Sequence, residues 1–354
     1  MSARAERALA AIGRMPAEWS RHDATWLAWP HEVRDWPGKF GAIPWVFAEI
    51  VRRVAAGETV RLLVDGAAHG EKVRRLLGRA GVGLARVELH RVPTDRAWMR
   101  DSGPVFVHGP AGRAIAGFRF DAWAKYPDFR RDAKVAGRAA KVLGVPLVPV
   151  VHRGRPVVLE GGAVDVNGSG SILATEECLL DPAVQVRNPG FGRADYEAVF
   201  AAALGAPNAI WLGKGIAGDD THGHVDDLAR FVGPRTVVLC REPDGRDENH
   251  RPLEENRERL ESARLEDGSR PEVAFLPMPQ PVAFGGRRLP ASYANFYVCN
   301  AAVLVPTFDD PADRVALGTL AELFPDRPAI GLHALDLVWG LGTLHCLSQQ
   351  EPAT

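Results

Sequence analysis

The chain has 354 residues, 46% hydrophobic and 25% charged, with a formal net charge of -1. Such a balance describes a soluble globular protein with enough apolar residues for a large core, and no basic field for nucleic acid. No apolar run approaches the roughly 18 residues a membrane helix needs, and MSARAERALAAIGRMPAEW at the N-terminus lacks a signal-peptide core.

In chain order, ETVRLLVD (Glu58 to Asp65) reads as a strand, Gly70 to Arg79 as a helix and ARVELHRVP as the next strand. PVFVHGPAGRAIAGFRF reads as a hairpin, with turn residues in HGPAGR between two β-rich runs. RRDAKVAGRAAKVLG then predicts a helix, and PLVPVVHR a strand. GGAVDVNGSGSILATEECLL repeats the hairpin-then-helix theme, with NGSG at the turn. DLARFVGPRTVVLC and the stretch from Asn300 to Leu335 repeat it twice more. The repeat is one of pattern, not of letters, and favours several ββαβ units over one long parallel sheet. PLEENRERLESARLE, in the charged stretch from Arg241 to Arg270, predicts a solvated surface helix. No domain boundary interrupts residues 1–354, so a single α/β catalytic domain is expected.

Cys178, Cys240, Cys299 and Cys346 are widely scattered, which argues against a disulfide framework or a zinc knuckle and suits a reducing cytoplasm. The first three lie in apolar strand or helix patterns, where a thiol is a small buried hydrophobe. Cys346 differs: GLGTLHCLSQQEP places glycines before it and polar Ser348, Gln349 and Gln350 after it. It is the candidate nucleophile.

Three further stretches carry chemistry. GDDTHGHVDDLARF packs two histidines and four aspartates beside a strand. His222, His224 and Asp226 could ligate a metal. Alternatively, His224 is an acid/base and Asp226 binds a cation. AWMRDSGPVFV offers Asp101 beside Trp98, a carboxylate against an aromatic wall, with a surface ion pair to Arg100 as the plainer reading. VVLEGGAVDV ends an apolar strand with Glu160 before two glycines.

A thiol, a histidine and three separated carboxylates are what guanidinium hydrolysis requires. Paired carboxylates fix the N–H groups in forked hydrogen bonds. A thiolate adds to the carbon, the imidazolium protonates departing ammonia, and the neutral imidazole activates water.

The sequence resembles the agmatine deiminase family, with its bacterial peptidylarginine-deiminase-type relatives, in the guanidine-modifying (pentein) superfamily. The motifs that carry the resemblance run in order through MPAEWSRHDATWLAWP, WMRDSGP, FRFDAWAKYP, LEGG with TEECLL, and DDTHGHVDDLARFV. They continue through LPASYANFYV and VLVPTFDDP to GLGTLHCLSQQEP. The resemblance implies an α/β-propeller of five ββαβ units around a pseudo-fivefold axis. It also implies Cys346 as nucleophile, His224 as acid/base and Glu160 as its carboxylate partner. Asp101 and Asp226 become the grips on the guanidinium, and Trp98 an aromatic wall for the substrate's stem.

The implied reaction converts agmatine and water to N-carbamoylputrescine and ammonia, in polyamine (putrescine) synthesis, with no cofactor and no metal. The expected partner is a small guanidine, with neither nucleic acid nor membrane. A homo-oligomer is compatible with the sequence, although no interface signature is visible. Ala163, Leu341 and the FRFDAWAKYP stretch depart from the best-known agmatine deiminases, which bears on the substrate. The alternatives are the same chemistry on free or peptidyl arginine, a metallohydrolase on His222, His224 and Asp226, and a non-catalytic binding protein. For the substrate's far end, Arg119 or Lys125 would suit a carboxylate and Asp219 or Asp220 an amine. The Pro/Gly-rich segment from Met278 to Pro290 is a candidate lid.

Overall fold

The computed structural model describes residues 13–110 and 112–354. Most of the N-terminal stretch read as lacking a signal core, and Ala111 of the HGPAGR turn, fall outside them. Among the described residues, no helix is long and apolar enough to cross a membrane.

Four units share one plan: an antiparallel strand pair, a helix, and a third strand parallel to the second. The strands Val105–Gly109, Gly112–Gly117 and Leu147–Pro149 form the first unit, with the helix Val135–Leu143 between the last two. Val164–Val166, Ser171–Thr175 and Asn208–Leu212 form the second, with the helix Arg193–Leu204. Ala229–Phe231, Thr236–Arg241 and Glu272–Pro277 form the third, around the helix His250–Ser262. Tyr297–Cys299, Ala302–Thr307 and Ala329–His333 form the fourth, around Ala312–Leu323.

The fifth unit is split between the two ends of the chain. Ser348–Pro352 supplies its first strand, antiparallel to His22–Ala28, which runs parallel to Thr59–Val64 after the helix Ile43–Val54; Val87–Arg91 adds an outer strand. The five ββαβ units expected of a pentein are therefore present, one of them closed by the C-terminus.

Local chemistry explains the elements. Ile43, Phe47, Ile50, Val51 and Val54 recur at helical spacing and are buried, each worth roughly 1.5–3 kcal/mol of burial. Gly144 and Gly205 stop their helices in the left-handed conformation, at φ 65 and 63. The NGSG turn is tied by Asn167 Oδ1, which accepts from the backbone N–H groups of Ser169, Gly170 and Ser171. The surface helix His250–Ser262 is exposed on most sides yet buries Leu253, Asn256 and Leu260.

PLVPVVHR is not one strand. After Leu147–Pro149 the chain leaves the sheet, and Val151–His152 pairs with Arg155–Pro156 in a separate small hairpin.

The closing strand, SQQEP, is polar by sequence and buried at every position. Several of its side chains find partners from distant parts of the sequence, although Gln349 Oε1 is buried without one. Gln350 Oε1 accepts from Arg100 Nη1 at 2.7 Å, and Glu351 Oε2 accepts from Trp26 Nε1 and Arg61 Nε, each at 2.8 Å.

Candidate active site

Cys346 sits at the start of this closing segment, buried to 5% exposure at the bottom of a cavity of about 540 Å³. Glycine at 342 is a steric necessity, since a Cβ there would stand 2.8 Å from the Trp98 ring and 3.1 Å from Cys346 Sγ. Its neighbour Leu341 is held at φ 73, a conformation that favours glycine, in the place where the sequence departs from a glycine triplet.

Asn295, on the 3-10 turn Tyr293–Asn295, organises the thiol. Its Nδ2 donates to Cys346 Sγ at 3.1 Å, while its Oδ1 accepts from Thr343 Oγ1 at 2.8 Å. Asp226 Oδ2 lies 3.8 Å from the same sulfur. Burial, together with Asp226, Asp227 and Asp101, pushes the Cys346 thiol well above its ordinary value, against the pull of Asn295. Cys346 therefore rests as a thiol.

Asp101 belongs to the short helix Met99–Ser102. Its Oδ1 accepts from Gly162 N at 3.0 Å and its Oδ2 from Trp123 Nε1 at 2.9 Å. Burial and the nearby Asp226 and Glu160 charges push it up to about 6, against the attraction of His224. Arg100 makes no ion pair with Asp101 here. It is buried and reaches Gln350 and Glu18, and its backbone N–H donates to Cys346 O at 3.0 Å, pinning the Asp101 turn to the segment that carries Cys346.

His224 precedes the 3-10 turn Val225–Asp227 and is fully buried. Its Nδ1 lies 3.8 Å from Asp101 and 4.0 Å from Asp226, and its Nε2 lies 3.9 Å from Glu160 Oε2. Burial alone would depress its pKa, yet Asp101 and the partners around Nε2 outweigh this and raise it well above the ordinary histidine value. It is an imidazolium at neutral pH. Glu160 ends the strand-like run before the turn Gly161–Ala163. Arg187 Nε donates to its Oε1 at 3.1 Å, and Arg187 and His224 hold the carboxyl at about 2 despite full burial.

Gly162 stands at the meeting point. A Cβ on it would come within 2.6 Å of His224 Nδ1, 2.9 Å of Asp101 Oδ1 and 3.1 Å of Asp226 Oδ2. Around this point Glu160 Oε2, both His224 ring nitrogens and Asp226 Oδ1 are buried without a hydrogen-bond partner. Buried polar atoms left unpaired cost about 1–3 kcal/mol each, so their convergence marks a ligand site. The carboxylate oxygens want donors such as those of a planar cation, while the His224 imidazolium has protons to give.

Asp226 is oriented from behind. His345 Nδ1 lies 2.6 Å from its Oδ2, and His345 Nε2 lies 2.8 Å from Glu18 Oε2. Glu18 also takes Arg100 and Arg230 and is held well below the usual carboxylate range, because these cations outweigh its burial. Burial would raise Asp226, but His345, His224 and Arg230 outweigh it and lower its pKa, so Asp226 carries its charge.

Trp98 and Trp123 line the cavity, with Trp36 packed on Trp98 at 5.4 Å between ring centroids. Ala122, Trp123 and Ala124 form an unusual left-handed run, φ 54, 60 and 52, tied by Asp121 Oδ1 accepting from Ala124 N. This run aims the Trp123 indole at Asp101.

All six residues singled out by sequence, Cys346, His224, Glu160, Asp101, Asp226 and Trp98, share one constellation. The far-end candidates divide. Asp220 lines the cavity and pairs with Lys125, whereas Arg119 does not line it. Asp219 turns inward, its Oδ2 accepting from Gly223 N and His224 N. Met278–Pro290 folds back as the hairpin Ala283–Phe284 and Arg287–Arg288, which places Arg287 on the cavity wall.

Among the described residues, two trios hold ligand-type atoms within 4.8 Å of one another and could bind a metal: Glu160, Cys178 and His224, and Asp226, Asp227 and Cys346. Neither includes His222, whose Nε2 pairs with Asp181 at 2.9 Å, so the trio His222, His224 and Asp226 does not assemble. Trp123, Asn295, Arg187, His345 and Glu18 escaped the sequence reading. Only their position inside quoted motifs, such as MPAEW and LPASYANFYV, could have flagged some of them.

The profile of the Porphyromonas-type peptidyl-arginine deiminase family matches residues 14–352. The agmatine deiminase of Ectopseudomonas mendocina is 32% identical, over 96% of this chain and 95% of that one. Among solved structures, a serine-for-cysteine variant of C. jejuni agmatine deiminase with substrate bound is 28% identical, covering 96% of each chain, with a TM-score of 0.85. An agmatine deiminase of Enterococcus faecalis is 27% identical, over 96% of this chain and 95% of that one, with a TM-score of 0.86.

Proposed function

We infer the function from a simple premise: the chain belongs to the agmatine deiminase family, the Porphyromonas-type peptidyl-arginine deiminases. It is a hydrolase of that family, and its reaction is agmatine plus water to N-carbamoylputrescine plus ammonia. The observation that carries this reading is the convergence of Asp101, Asp226 and His224 on Gly162, with Cys346 Sγ 3.8 Å from Asp226 and on the wall of the cavity that Asp101 and Trp98 also line.

The guanidinium enters between Asp101 and Asp226, which accept its N–H groups in charge-assisted hydrogen bonds. Trp98 and Trp123 flank the aliphatic stem. The substrate's positive charge offsets the carboxylates that keep Cys346 protonated, so the thiol proton leaves as the cation arrives. The thiolate adds to the guanidinium carbon. His224, already an imidazolium, gives its proton to the departing nitrogen, and ammonia leaves a Cys346 thiouronium. Neutral His224 then takes a proton from water, whose oxygen adds to the same carbon. Collapse breaks the C–S bond, passes the hydroxyl proton to the sulfur, releases the ureido product and restores the resting thiol. Glu160, anchored by Arg187, stabilises the charged imidazole throughout.

The test is ammonia release from agmatine by purified protein, with N-carbamoylputrescine identified as the co-product. Turnover lost in Cys346→Ala is the expected result. Undiminished turnover in that variant would remove the nucleophile from this reading.

A further inference from the structure

Three carboxylates around the Cys346 sulfur, those of Asp226, Asp227 and Asp101, oppose its ionisation. Among the described residues, one side chain donates to it: Asn295 Nδ2, at 3.1 Å. The two ends of a carboxamide have the same shape, so the nitrogen stands toward the sulfur only if its other partners require it. They do. Asn295 Oδ1 sits among four donors: Thr343 Oγ1 at 2.8 Å, the Thr343 and His345 amides at 3.2 Å each, and the Cys346 amide at 3.4 Å. Asn295 Nδ2 also donates to Asp227 Oδ1 at 2.9 Å. A flipped amide would set its N–H groups against those four donors and leave Asp227 Oδ1 without its own. One N–H is therefore fixed on Asp227 and the other on Cys346.

The chain that carries the sulfur is tied to the same residue, since His345 N also donates to Asn295 O at 3.1 Å. Asn295 is buried to 1% exposure and does not line the cavity. Donor and sulfur thus keep their spacing as substrate enters.

An N–H contact to a neutral thiol is weak, whereas the same contact to a thiolate is charge-assisted and roughly twice as strong. An interaction that grows as charge develops lowers a barrier, and one that is equal throughout does not. We propose that Asn295 is a further catalytic residue, whose Nδ2–H stabilises the Cys346 thiolate among the surrounding carboxylates, and that Thr343 is the positioning residue that keeps this N–H on the sulfur. The proposal rests on the deiminase reading above. The donor serves twice in each turnover. It holds the electron pair on sulfur once the thiol proton has left and before the C–S bond forms. It meets that pair again as the C–S bond breaks and the ureido product departs.

The experiment uses the full chain with Asn295→Ala, Thr343→Val and Thr343→Ser, each checked by thermal melting. Two quantities are read. One is kcat and KM for agmatine by ammonia release. The other is the rate at which iodoacetamide alkylates Cys346, located by peptide mass, across neutral to mildly alkaline pH. This reagent is uncharged and reacts with the thiolate, so its rate reports that form without substrate. Asn295→Ala should lower kcat about tenfold or more with KM little changed, and should slow alkylation at every pH. Thr343→Val removes the hydroxyl and keeps the shape. It should lower kcat about threefold and slow alkylation, and Thr343→Ser should recover most of both losses. A role in packing alone would leave alkylation unchanged, or speed it by opening a path to the sulfur. Either result in Asn295→Ala would overturn the proposal. If that variant does not fold, an undiminished alkylation rate in Thr343→Val overturns it instead. No ammonia from agmatine by the unaltered protein would overturn the deiminase reading, while the alkylation rates would still decide whether Asn295 stabilises the thiolate.

Discussion

Replacing Gly162 by alanine adds one methyl group at the point where the constellation closes. The new carbon would stand 2.6 Å from His224 Nδ1, 2.9 Å from Asp101 Oδ1 and 3.1 Å from Asp226 Oδ2, each well inside van der Waals contact. None of the three can swing aside freely. Asp101 is held by Trp123 and the Gly162 amide, Asp226 by His345, and His224 is fully buried. Relief requires shifts of several tenths of an ångström in at least two of them. Overpacking of this kind costs roughly 1–3 kcal/mol of stability. The catalytic cost is larger in proportion, because a misplacement near 1 Å lowers the rate about a hundredfold, some 2.7 kcal/mol. The assay pairs a urea melt with kcat and KM for agmatine. The expected outcome is a folded protein whose kcat/KM has dropped by about two orders of magnitude or more. A Gly162→Ala protein with near-normal kcat/KM would refute the reasoning that turnover depends on the close packing of these three groups.

Other consequences are as direct. Asp101 must be ionised to hold a cation, and burial pushes it up to about 6, so kcat/KM should fall as pH drops through that value. Trp123→Phe removes a hydrogen bond that favours the charged form, so the acid limb should move to higher pH; a limb that stays put would detach Trp123 from Asp101. The alkaline limb belongs to loss of the His224 imidazolium and should lie above the ordinary histidine range, since its folded pKa is raised. Glu18→Ala leaves Arg100, Arg230 and His345 without their shared buried carboxylate and should cost about 3–5 kcal/mol in a denaturant melt. It should lower kcat too, because His345 is what holds Asp226.

Cys346, His224, Glu160, Asp101 and Asp226 each stand in a short motif of this sequence, but their roles came from the resemblance to the agmatine deiminase family. Local chemistry alone singled out the thiol beside glycines, left His224 open between metal ligand and acid/base, and left Glu160 and Asp101 readable as ordinary acids. The ββαβ repeat was legible from alternating strand and helix patterns. SQQEP as a strand was not, since apolar periodicity is the usual strand signal and this strand owes its burial to Arg100, Trp26 and Arg61 from distant parts of the chain. Glu18, Asn295 and Arg187 act through contacts that span long stretches of sequence, and Trp123 depends on a left-handed run no propensity predicts. The surface ion pair weighed as the plainer reading of Arg100 and Asp101 does not form, for the same reason. Adjacent opposite charges suggest a surface ion pair, but the fold buries both and sends them to different partners.

The central claim is covalent attack by Cys346, and the most direct measurement is the mass of the peptide carrying it after an acid quench during agmatine turnover. The account predicts an increment on Cys346 equal to agmatine less one ammonia, which disappears once substrate is consumed and is absent in Cys346→Ser. Steady turnover with an unmodified Cys346 at every quench time, and ammonia still released by Cys346→Ser, would contradict it.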